Sequence, residues 1–179
     1  MIVPFGQGAA QMQLAAAIHE LQSCNQVTER YGLSLSVQDV QTLVAGRLEA
    51  LETADRVEFG GGIAHSLVLG FCSSPYVSQH TFVQTVLELQ DLFYQFKNDS
   101  LEQITDDELI ETMRSLYDEV AHGDLERLSE ALFDGLGRYV REEVALDDAG
   151  SLAPRRLNVA DWTDEDYAPA WEGASWLDE

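Results

Sequence analysis

Basic side chains are scarce in this sequence. Ten stand against 32 acids, only one of them a lysine (Lys97), and the formal charge is −22. A field of that sign repels DNA, RNA and anionic lipid. It excludes non-specific nucleic-acid binding and leaves arginine to act only at short range. The acids are spread over every polar face, so solubility or salt adaptation explains them more simply than mimicry of a nucleic acid. Cysteine is nearly absent too. Cys24 and Cys72 form no CxxC pair, which argues against a zinc ribbon or a thioredoxin-like motif and suits a reducing compartment. No basic residue precedes Arg30, and the early apolar run Leu14–Ile18 is far too short to cross a bilayer. The expectation is a cytoplasmic protein with no signal peptide and no membrane segment.

What remains is the composition of an ordinary globular domain. The 179 residues are 45% hydrophobic, enough to bury a core without disulfide staples. Residues 9–23 are alanine-rich, and the spacing of Leu14, Ile18 and Leu21 predicts a helix with a narrow apolar stripe. Ser36 followed by Asp39 reads as a capping box. It opens a helix whose apolar face is expected to be Val37, Val40, Val44, Leu48 and Leu51. The pattern breaks at 53–62, where Gly60, Gly61 and Gly62 cannot sit comfortably inside a helix. Ile63–Cys72 resumes as a short buried helix that ends at Ser73-Ser74-Pro75. Residues 79–97 have the strongest apolar stripe, with Phe82, Val86, Leu89, Phe93 and Phe96, and are expected near the centre of a bundle. Thr105 with Glu108 is a second capping box, and His122-Gly123 a helix stop. A last helix is read from Leu125 to Ala145 through Leu128, Leu132, Leu136 and Tyr139.

Six helical segments with short connections predict an all-α fold, a compact bundle over residues 1–146. One small two-stranded element, pairing Ile2–Phe5 with Arg56–Phe59, stays open beside it. Residues 147–179 lose all periodicity. They hold nine acidic and two basic residues, and all three tryptophans of the chain. Trp162, Tyr167, Trp171 and Trp176 are candidate partner-binding residues of an acidic aromatic tail. That tail either folds back on the domain or docks a partner.

Helical packing explains residues 56–76 least well. A candidate ligand site is read there from Arg56, Glu58, Gly60, Gly61, Gly62, His65, Cys72 and Tyr76. A glycine turn before a helix leaves backbone N–H groups to meet an anion, but a GxGxxG or GxxxxGK[ST] pattern is missing and a tight connection explains the glycines equally well. His65, Cys72, His80 and Glu58 are zinc-ligand types without a zinc spacing, so no metal or other cofactor is expected. Cys72 or Ser74 with His65 or His80 as base lacks an orienting acid, and an apolar setting makes Cys72 unreactive.

The stretches RVEFGGGI (56–63), FCSSPY (71–76), LQDLFYQFKNDSL (89–101) and TDDELIETM (105–113) resemble, in this order, a family of short bacterial proteins of unknown function. The resemblance covers roughly residues 10–141 and leaves out the tryptophan-bearing tail. It implies a bacterial, cytoplasmic protein, and it brings no activity, substrate or catalytic residue. Two functions follow. The first is a non-enzymatic helical interaction or assembly protein, with a protein partner or a second copy bound through the tail, a helix face or the apolar surplus of the 79–97 helix. The second is a small-ligand or metal-binding protein, or an enzyme, built on 56–76. The balance of these features is against an enzyme.

Overall fold

In the computed structural model, the protein is described over residues 5–58, 62–99 and 104–135, with side chains from residue 11. The chain is helical, as its periodicity requires. Helix α1 spans Phe5–Ser23 and is followed by the single turn α2 (Asn25–Thr28) and a tighter turn, Glu29–Tyr31, that ends on Gly32 at φ +74°. Then come α3 (Val37–Thr53), α4 (Gly62–Phe71), α5 (Phe82–Asp99) and α6 (Asp106–Glu119), with residues 125–135 forming the described part of α7.

Both capping boxes form in full. The Ser36 hydroxyl accepts from Asp39 N–H while the Asp39 carboxylate accepts from Ser36 N–H, and Thr105 and Glu108 do the same for α6. Each satisfies two of the donors that a helix start leaves open. His122 and Gly123, at φ +51° and +87°, turn the chain out of α6, and Gly123 N–H reaches back to the Tyr117 carbonyl at 2.9 Å. No strand forms among the described residues; of the two-stranded element left open between Ile2–Phe5 and Arg56–Phe59, Phe5 is helical and 56–58 are irregular, while Ile2–Pro4 and Phe59 lie outside the described residues.

The centre of the core is α4 rather than α5. Ala64, Leu67, Val68 and Phe71 are each fully buried, and α4 packs on α1, α2, α3, α5 and α6. A short helix is surrounded on all sides only if almost every position is apolar, and IAHSLVLGF meets that condition. Helix α5 lies alongside, its closest neighbour α3, where Gly46 leaves room for the Leu87 side chain against the α3 backbone. The wide apolar stripe of α5 also meets the core at its edges, where Val83, Leu87 and Leu92 are partly buried.

Two expected faces are displaced. On α3, Val37 and Leu48 are exposed at 61% and 57%, whereas Arg47 is buried. On α1, Leu14 is exposed and Ala17 and Leu21 turn inward, as does Cys24 just after it. Lys97, the one lysine, is also buried. It bonds to Asp106 at 2.7 Å and to the Ile104 carbonyl, which ties the end of α5 to the start of α6.

Candidate functional site

The 53–62 break is held by a polar cluster around Glu58. The α3 stripe runs through Val40, Val44, Arg47 and Leu51, so Arg47 occupies a position whose neighbours are apolar. Its guanidinium meets the Glu58 carboxylate at 3.3 Å. The same carboxylate oxygen accepts from the Tyr94 hydroxyl of α5 at 2.8 Å and from the Ile63 N–H at 3.3 Å. Glu58 thereby also caps α4, with its negative charge at the positive end of the helix. Gly62 is required twice over. It takes φ +51°, and a Cβ there would lie 2.6 Å from Arg47 Nη2 and would overlap Glu58 as well. Beside the cluster, Arg56 Nη1 donates to Asn98 Oδ1 at 2.7 Å, and Asn98 donates to the Ala54 carbonyl at 3.0 Å.

The opposite end of α4 is held in the complementary way. Arg114 of α6 donates through Nε to the Gly70 carbonyl at 2.9 Å and through Nη2 to Ser73 at 3.2 Å, placing a cation at the negative end of α4. Arg114 also pairs with Asp118, which accepts from Ser74 Oγ at 2.6 Å. Tyr76 approaches His122 Nδ1 at 3.3 Å and sits against Gly123, where a Cβ would come 2.9 Å from its ring carbon Cγ.

The candidate residues of 56–76 therefore divide between the two ends of α4, roughly 15 Å apart at the rise of a ten-residue helix. Arg56, Glu58 and Gly62 gather at its start. Cys72 and Tyr76 lie beyond its end, and His65 is half-buried within it. Burial pushes the Cys72 thiol up, and its hydrogen goes to the Leu69 carbonyl at 3.2 Å. Ser74 is committed to Asp118, and His80 Nδ1 lies 3.2 Å from Ser78 Oγ. No three of the described His, Cys, Asp and Glu residues come together where an ion could be held. Gly60, Gly61 and the aromatic residues Trp162, Tyr167, Trp171 and Trp176 lie outside the described residues. Arg47, Tyr94 and Arg114 were not among the sequence candidates. The signal for Arg47 was its place in the stripe, four residues before Leu51.

Burial and donation to Glu58 push the Tyr94 phenol far above its ordinary value of 10.0. Burial raises Tyr117 in the same direction, and Cys24 is pushed from 9.0 to about 11. The folded state thus keeps protons that the unfolded chain gives up. These contributions are complete below pH 9 and are lost as pH rises, Cys24 first, between 9 and about 11, and the tyrosines from 10 upward. Urea midpoints measured from pH 8 to 11 should fall steadily, and Tyr94→Phe should flatten the fall above pH 10. An unchanged slope in that variant would show that Tyr94 does not hold its proton in this way.

Two surface grooves flank the cluster. One, about 320 Å³, lies between α1 and α3 and is lined by Leu14, Ala17, Leu48 and Leu51, with Arg47 and Glu58 also on its wall. The other, about 700 Å³, lies between α3 and α5 and carries Glu49, Glu88, Asp91 and Asp99. Among the described residues no helix is long and apolar enough to cross a membrane. No curated protein and no solved structure matches the chain. A family model matches residues 20–146, a stretch that includes α3 to α6 and both clamps on α4. The chain belongs to that family, the family of unknown function DUF6323.

Proposed function

We propose that this protein is a non-enzymatic interaction protein of the bacterial cytoplasm that receives an apolar helical element in the groove between α1 and α3. The observation that carries this reading is the exposure of α1. Residues 11–16 are exposed at every position, and on the groove itself Leu14 is 43% exposed and Leu48 across from it 57%. A helical stretch that turns no face into a core draws little stability from its own monomer. Apolar side chains grouped beside a groove gain by being covered. The chemically capable groups point the other way: Glu58 accepts from three donors and Ser74 is engaged by Asp118. Two buried free thiols accord with a reducing compartment.

A photo-crosslinking residue in place of Leu14 or Leu48, introduced in living cells, tests this reading, with the exposed Glu111 as control position. Discrete adducts of defined mass from positions 14 and 48, and none from 111, are expected. No adduct above the control would end the proposal. A small-ligand site remains the second reading, because Arg47 and Glu58 line the same groove. A thermal shift with phosphorylated metabolites that Glu58→Gln abolishes, in the absence of adducts, would favour it.

A further inference from the structure

Charge separates the possible occupants of the α1–α3 groove. From Met1 to Ile18 the sequence has no ionisable side chain, in a chain whose formal charge is −22. The groove is lined by Gln11, Gln13, Leu14, Leu48 and one ion pair, Arg47 with Glu58, and so carries no net formal charge. The α3–α5 groove is the reverse: Glu49, Glu88, Asp91 and Asp99 line it without a basic side chain. The Asp91 carboxyl is raised there by burial and then by Glu49 and Glu88. A basic partner would be drawn to that second groove. A molecule as acidic as this one would be turned away from it, and could approach closely only at a face free of carboxylates.

We infer that the occupant of the α1–α3 groove is a second copy of this chain, docked through its own α1 in a two-fold arrangement; the inference rests on the interaction reading above. A two-fold interface uses the same patch on both sides, and this patch supplies both halves of the contact. Leu14 projects from α1 as the inserted side chain, and Leu48 with Ala17 walls the groove that receives its counterpart. The paired Arg47 and Glu58 need lose no partner when the groove is covered. Leu14 lies before the matched family stretch, which begins at Glu20, while the α3 wall lies within it.

Sedimentation equilibrium of the full chain from micromolar to millimolar concentration tests the inference. A monomer–dimer equilibrium is expected, and the dimer should tighten with added salt, because screening weakens the repulsion between like-charged copies. Leu14→Glu and Leu48→Glu should each weaken it by roughly thirtyfold or more. Both residues are exposed in the monomer, so circular dichroism and melting should stay at wild-type values. A photo-crosslinker at position 14 of the purified protein should yield a product of twice the monomer mass, joined to peptides of α1 or α3. A strict monomer would overturn the second copy, and so would a dimer that both glutamates leave intact. So would an internal crosslink to residues 147–179, which would make the tail the occupant. In each case, adducts to another protein in the cell experiment would leave the interaction reading standing.

Discussion

Replacing Arg47 by methionine should destabilise the protein by about 3 kcal/mol, because it leaves the Glu58 carboxylate beneath α4 without its cation. Methionine fills nearly the same apolar volume, so little of this loss comes from packing. Glu58→Gln should cost less, about 1–2 kcal/mol, since a carboxamide oxygen still accepts from Tyr94 and from the Ile63 N–H. The double variant should be clearly less destabilised than the two single losses added together. Removing both charges takes away the desolvation cost along with the attraction. Urea denaturation of the four proteins yields the coupling directly. Additive losses, within about 0.5 kcal/mol, would mean that the two side chains stabilise the fold independently.

Gly62→Ala should be as damaging as the loss of Arg47, and far worse than Gly32→Ala. Both glycines have positive φ, +51° and +74°, so either alanine pays about 1–2 kcal/mol for a left-handed backbone. At Gly32 a Cβ meets nothing within 4 Å, and the cost should stop there. At Gly62 the Cβ would lie 2.6 Å from Arg47 Nη2 and 2.9 Å from its Cζ. The ion pair must then open or α4 must shift, which brings the expected loss to about 3 kcal/mol or more. Thermal or urea unfolding of the two variants, measured together, separates the terms. Equal losses would show that the guanidinium yields without cost.

Each clamp on α4 joins helical side chains to an irregular segment, Glu58 at its start and Ser73–Ser74 beyond its end, and helical periodicity does not describe those segments, which limits what the sequence discloses. Helix starts were legible from local chemistry: Ser36 with Asp39 and Thr105 with Glu108 cap as their spacing requires, because a capping box involves only four consecutive residues. The burial of Ile63–Phe71 was legible as well, since a run that apolar has no polar face to expose. The inner face of α3 was misjudged by one residue. Arg47 and Leu48 sit about 100° apart around the helix, one at each edge of the Val40–Val44–Leu51 stripe. Hydropathy favours leucine at such an edge. The outcome turned on Glu58, which comes from the irregular connection and gives the guanidinium a partner inside. The same holds for the candidate site. Glu58 and Gly62 stood out because they break a pattern, whereas Tyr94 was hidden within the apolar stripe of α5. Cys72 and Tyr76 are near Glu58 in sequence but lie past the far end of α4, so proximity along the chain does not translate into proximity in the fold.

Lys97 has a practical consequence. It is the only lysine in the chain and is 3% exposed, with its ammonium held by Asp106 and the Ile104 carbonyl. The native protein thus offers no ε-amine to acylating enzymes, to amine-reactive labels or to a lysine-directed protease. Such reagents can reach position 97 only when α5 and α6 separate, so its labelling rate is a chemical clock for opening of the fold.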